Sequence, residues 1–138
     1  MYEKYQHEGF VHAYWKATPE TQQYLYGQLI KNARDGNPTA QSELGFMYAD
    51  GNGCQIDYEQ AHYWFSKACI QRYPTGVYNL AASLEHGEGT QQDTVTALNY
   101  YHQLAENGYT PAVLKLALLK YDAIVKHLHL PQLLGKHV

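Results

Sequence analysis

Residues 33–68 fall onto residues 69–104 at a shift of 36 without a gap, and eight pairs are then identical: Pro38/Pro74, Thr39/Thr75, Leu44/Leu80, Gly51/Gly87, Gly53/Gly89, Gln55/Gln91, Asp57/Asp93 and Ala61/Ala97. Unrelated segments of that length would agree at roughly two positions on ordinary residue usage. Ala40/Gly76, Gly45/Ala81, Trp64/Tyr100 and Phe65/Tyr101 conserve size or character, and the same shift carries on to Leu116 and Ala117. A period in this range is the signature of stacked supersecondary units, because one such unit cannot bury its apolar faces alone.

The chemistry inside each unit reads helix, loop, helix. Asn37 followed by Pro38 fits an N-cap with proline at the first helical position, where its missing N–H costs nothing. The helix that follows carries Ala40, Leu44, Gly45 and Tyr48 on one face. It stops at Asp50-Gly51-Asn52-Gly53, since glycine accepts the left-handed conformation that ends a helix. Asp57 caps the next helix with Gln60 three residues on as its capping-box partner, and Ala61, Trp64, Phe65 and Ala68 form the inner face.

The flanks read as degenerate units. Residues 2–15 are expected to form one helix, with Tyr5, Gly9 and His12 near repeat positions, and residues 19–32 a second. Residues 111–128 fit one helix, or two joined near Asp122-Ala123. The organisation expected is a single domain over 1–138: a degenerate helix pair at 1–32, repeats at 33–68 and 69–104, a partial repeat or cap at 105–128, and a tail at 129–138 that docks through Leu133 and Leu134. The fold class is all-α, a short right-handed α-α superhelix (solenoid) of about two full repeats. Its terminal helices read as caps, which makes the chain a monomer; the competing reading makes them a dimer interface.

The pattern A-x-x-x-L-G-x-x-Y-x-x-G-x-G-x-x-x-D-x-x-x-A-x-x-W-F-x-K-A over residues 40–68 closely resembles the Sel-1-like repeat, a relative of the tetratricopeptide repeat with a longer inter-helix loop. The resemblance is good over 69–104, where Leu84 stands for the tyrosine and Tyr100 for the tryptophan, and partial at both ends. It implies a non-catalytic adaptor or scaffold that binds a segment of another protein. The family also includes bacterial immunity proteins that neutralise secreted toxins, which supplies a second expectation.

In a tetratricopeptide-like stack the first helices of successive repeats line the concave face, so the resemblance also points to a binding surface. Carried over by position, it takes Ser42, Phe46, Ala49 and Asp50 from one unit, Tyr78, Ala82, Glu85 and His86 from the next, and Leu114, Leu118, Tyr121 and Asp122 from the third. The N-terminal helix would add Gln6, Phe10, Ala13 and Tyr14. Aromatic residues are favoured interface anchors, and the carboxylates Asp50, Glu85 and Asp122 suit a basic peptide or a basic toxin domain. The competing reading packs Phe46, Tyr78 and Leu118 against the neighbouring repeat.

Composition narrows the remaining classes. A formal net charge of −3, with 17% charged residues and no runs, gives no footprint for nucleic acid or an anionic membrane. No apolar stretch approaches the roughly 18 residues of a membrane span. MYEKYQHEGF lacks the apolar core of a signal peptide, so the expectation is a cytoplasmic protein with Cys54 and Cys69 reduced.

Sharper chemistries are weaker. His127 and His129 point apart on a helix and lack the third ligand zinc needs, so no metal or cofactor is expected. Gly51-Asn52-Gly53 and Gly87-Glu88-Gly89 lack the lysine of a phosphate loop, and Glu88 would repel phosphate. Ser83 with Glu85 and His86 has the residue types of a hydrolase but no nucleophile elbow around it.

Overall fold

The computed structural model describes residues 4–128, and within them every regular element is helical. The helices are α1 (Phe10–Lys16), α2 (Pro19–Arg34), α3 (Pro38–Asp50), α4 (Tyr58–Ile70), α5 (Pro74–His86), α6 (Thr94–Glu106) and α7 (Thr110–His127). The expected tail, with Leu133 and Leu134, lies outside the described residues, as does His129. The chain divides into two parts, residues 1–100 and 101–138.

The boundaries obey the local chemistry. Thr18, Asn37 and Asp57 each accept a hydrogen bond from the backbone N–H three residues on, and Pro19, Pro38, Pro74 and Pro111 all sit in a first turn. Asp93 takes the N–H of Thr96 at 3.1 Å and its hydroxyl at 2.7 Å, which hold the Asp93 carboxyl below its usual range. Left-handed Gly51 and Gly87 close α3 and α5 at equivalent positions of the 36-residue period. Beyond α7's start, the alternative of two helices is settled in favour of one, through Asp122 and Ala123.

In the first part, α3 packs against α1, α2, α4 and α5, and α4 against α5. The core is built from Leu29, Ala33, Leu44, Met47, Ala61 and Phe65, with Tyr5, Val11 and Tyr14 from the N-terminal region. Small residues permit the close approaches. A Cβ on Gly45 would lie 2.5 Å from the Phe65 ring, and one on Gly76 would collide with the Ala68 methyl. In the second part Tyr101, Leu104, Ala112 and Val125 are buried, and the Lys115 ammonium lies 5.8 Å from the Tyr101 ring centre.

One element departs from expectation. Helix α1 begins at Phe10, not near residue 2, and residues 4–9 form a non-helical strap. Gly9 turns the strap into α1 at φ 101°, a conformation that disfavours any residue with a Cβ. A helix over 2–9 would satisfy its own backbone. The strap instead finds partners on α3 and α5, as a segment without internal hydrogen bonds must.

A strap seated across α3 and α5

Helix α5 is apolar on most of its surface but carries a buried polar stripe, Thr75, Asn79 and Ser83, at i, i+4, i+8 spacing. Asn79 is fully buried, and its side-chain amide addresses one residue of the strap twice: Oδ1 accepts from the Gln6 N–H at 2.8 Å, and Nδ2 donates to the Gln6 carbonyl at 2.9 Å. Glu43, one period earlier on α3, accepts the Glu8 N–H through Oε1. The Thr75 hydroxyl donates to the Glu8 carboxylate at 2.6 Å. Side chains at equivalent places in successive repeats therefore hold the main chain of a non-helical segment.

The strap's side chains are held as well. Tyr5 is buried, stacks on Phe65 at 5.4 Å between ring centres, and donates its hydroxyl to Glu88 at 2.6 Å. Lys4 reaches the same carboxylate at 2.9 Å. Burial works to raise the Glu88 carboxyl, but the bonds from Tyr5 and Lys4 outweigh it and keep it below its usual range. Burial and the Glu88 bond together raise the Tyr5 phenol. The His7 ring lies 4.6 Å from that of Phe46. Beside Tyr5 a cleft of about 310 Å³ remains open, lined by Phe46, Ala49, Asp50, Ile56 and Tyr58.

Among the residues expected to bind a partner, Phe46 and Asp50 border this cleft, and Phe46 is covered by His7. Asp50 is exposed and accepts from Asn52 at 2.7 Å. Glu85 is half-buried and bears on the Tyr5 hydroxyl electrostatically, while His86 is exposed with Nδ1 2.9 Å from the Ala82 carbonyl. Tyr78 and Ser42 are buried. Phe10 stacks on Tyr14, and Tyr14 is buried against Trp15 and Tyr26, at the loop glycine Gly53. Leu118 and Asp122 are half-buried and Tyr121 exposed in the second part. Gln6, expected on a helix, belongs to the strap.

Sequence reasoning missed Glu43, Thr75, Asn79 and Glu88. The polar stripe on α5 was the available signal, together with the period that places Glu43 and Asn79 in register. Ser83 does meet a histidine, though not His86: its Oγ lies 2.9 Å from His62 Nδ1 and donates to the Leu80 carbonyl at 2.8 Å. Ser83 is fully buried and burial lowers the His62 pKa, so the pair reads as core hydrogen bonding. Both cysteines are free. No described helix is long and apolar enough to cross a membrane.

Glu43 makes the seat pH-sensitive. Burial pushes its carboxyl from an ordinary value of 4.5 up to about 7; the Glu8 N–H opposes this and the Glu8 charge adds to it. Its Oε2 is buried without a hydrogen-bond partner among the described residues. A folded-state pKa raised above the unfolded value gives stability that is full below about pH 4.5 and lost as pH rises through about 7. Glu43→Gln should therefore melt higher than wild type at pH 8, by roughly 5 °C, and converge with it near pH 5. His62 titrates identically in both proteins, so the difference between the curves isolates Glu43; parallel curves would remove it as the source.

The family model described as Sel1 repeat matches residues 38–73 and 74–109, the same 36-residue period in a phase shifted by five. An uncharacterized protein, NMB1327, of Neisseria meningitidis is 34% identical over 88 residues, covering 64% of this chain and 18% of that protein. A putative sel1-like repeat-containing protein, L21, of Acanthamoeba polyphaga mimivirus is 24% identical over 104 residues. The chain spans 18% and 19% of the lengths of these two curated relatives. Among solved structures, a Sel1 repeat protein from Oxalobacter formigenes aligns at TM-score 0.65 and 31% identity, covering 70% of this chain and 72% of that one. The protective antigen c5321 of uropathogenic Escherichia coli, described as having an SLR fold, aligns at TM-score 0.63 and 34% identity over 70% of this chain and 21% of that one. Cysteine rich protein B of Helicobacter pylori, at TM-score 0.61 and 22% identity over 69% and 74% of the two chains, shares the fold.

Proposed function

The chain belongs to the Sel1 repeat family, and from that premise we propose that the surface of α3 and α5 binds an extended segment of a partner protein. The observation that carries this reading is the double hydrogen bond from Asn79 to the backbone of Gln6. A side chain that satisfies both the N–H and the C=O of one residue selects for extended main chain, whose groups are otherwise left to water. Glu43, one period away, accepts a further backbone N–H of the strap, that of Glu8. We read the role as binding and not catalysis: the serine that meets a histidine side chain among the described residues, Ser83 with His62, is itself fully buried.

Charge favours a basic partner. Glu88 holds Lys4, and Asp50 and Glu85 stand near the same end of the strap. An adaptor and a toxin-neutralising protein would use this surface alike, and a toxin gene adjacent to this one would favour the second role. The direct test selects binders from a random peptide library on a Lys4→Ala/Tyr5→Ala chain, in which the segment already seated on this surface is weakened. Asn79→Ala, checked for folding by circular dichroism, should weaken the selected peptides by about tenfold or more, whereas Tyr24→Ala, an exposed position on α2, should leave them unchanged. Peptides indifferent to Asn79→Ala, or a selection that yields none, would refute the reading.

A further inference from the structure

We propose that Lys4-Tyr5-Gln6-His7-Glu8 is an internal copy of the partner's recognition motif, so that the surface selects a basic residue, an aromatic residue, a residue held by its backbone, a ring and a carboxylate, and the strap must leave to admit it. The inference rests on the peptide-binding reading above and adds to it the partner's sequence chemistry and the self-occupied state.

Most positions of the strap meet a receptor of matching chemistry, although Glu8 also lies beside the like-charged Glu43. The ammonium of Lys4 and the hydroxyl of Tyr5 converge on Glu88, and the Tyr5 ring lies on Phe65. Gln6 is gripped by its main chain, His7 lies against Phe46, and the Glu8 carboxylate takes the Thr75 hydroxyl. The hydrogen-bonding partners are 35 to 84 residues away in sequence, which is how a ligand, not a turn, meets its site.

The period makes the same point. In the 36-residue register His7 stands where Glu43 and Asn79 stand. The unit that should supply a third gripping helix supplies the segment that is gripped.

The attachment is also suited to exchange. Its outer end is a surface ion pair in which Lys4 is 41% exposed, a kind of contact that contributes little. The open cleft beside Tyr5 gives an incoming chain a place to begin. Against displacement works the tether: the strap runs directly into α1 at Gly9, and a link that short gives an effective concentration on the order of millimolar. A free peptide of equal intrinsic affinity therefore competes poorly with the intact strap, and weakening the strap restores access.

The test uses the full chain and a labelled, end-blocked Lys-Tyr-Gln-His-Glu peptide, read by fluorescence anisotropy. Lys4→Ala/Tyr5→Ala alters only the strap and should bind the peptide about tenfold or more tightly than wild type. On that double variant, alanine for the peptide's tyrosine should cost about tenfold. Alanine for its lysine should cost a few-fold and only at low salt. Adding Glu88→Gln should abolish the lysine preference and weaken, without removing, the tyrosine preference, whose ring still lies on Phe65.

A folded double variant that binds no better than wild type, or that binds a scrambled peptide equally, overturns the proposal. Should the double variant not fold, Lys4→Ala alone, an exposed change, is expected to give a few-fold gain, and no gain overturns the proposal. Library peptides that depend on Asn79 while the pentapeptide fails to bind would sink the internal copy and leave the peptide-binding reading standing. Loss of both would sink both.

Discussion

Phe65→Ala should lower stability by about 4 kcal/mol and the melting temperature by roughly 15 °C. The ring is fully buried, sits where a Cβ on Gly45 would be, and carries Tyr5 stacked at 5.4 Å. Its removal leaves a cavity in the α3–α4 contact and takes the floor from under the strap. The close approach to Gly45 supplies an internal control. Gly45→Ala alone should be destabilising, because the new methyl would lie 2.5 Å from the Phe65 ring and 3.2 Å from the Ala61 carbonyl oxygen. In the Phe65→Ala background the ring is gone and only the tight contact with the Ala61 carbonyl oxygen remains, so the same change should cost clearly less than in wild type. Denaturant unfolding of the four proteins gives the coupling. Additive effects would mean that the two residues do not share the space assigned to them.

Gly89→Ala should cost about 3 kcal/mol, the sum of two effects. The first is conformational: φ is +73°, which costs a residue with a Cβ about 1–2 kcal/mol. The second is steric, because the methyl would fall on the carbonyl carbon and oxygen of Tyr58. These are backbone atoms at the start of α4, so no side-chain rotation relieves the clash. Gly36→Ala separates the two effects, because φ there is +97° with no atom within 4 Å of the added Cβ. Gly36→Ala should lose only the conformational part, and equal losses at both sites would show that α4 does not approach the loop so closely. A third alanine scan position, Gly27 inside α2 with open space around it, should gain up to about 1 kcal/mol.

Much of this was legible before any coordinates. Asn37-Pro38, Asp57, and Gly51 and Gly87 act locally, within one turn of backbone, so residue type alone places the helix ends, although the Asp57 N–H goes to the Tyr48 carbonyl and not to the Gln60 side chain expected to complete a capping box. The 36-residue shift then fixes that α3–α4 and α5–α6 are copies of one unit. The N-terminal region misled for a reason of the same kind. Residues 2–15 contain no proline and only one glycine, and nothing local forbids a helix there; the strap is not helical because Asn79 and Glu43, far along the chain, take its backbone groups and would otherwise be buried and unpaired.

The expected binding residues divide along the same line. Phe46, Asp50 and Glu85 were reached by counting along a helix, and each stands near Tyr5. Asn79 and Thr75 were passed over because a buried polar residue on a core-facing helix signals nothing until its partner is known. What the sequence determined by itself is therefore the repeat: its period, its caps and its small-residue contacts, all set by interactions within one unit or between copies of it. What only the tertiary structure decided is that the chain's own residues 4–8 fill the face between α3 and α5, because hydrogen bonds spanning 35 to 84 residues leave no periodic trace at either end.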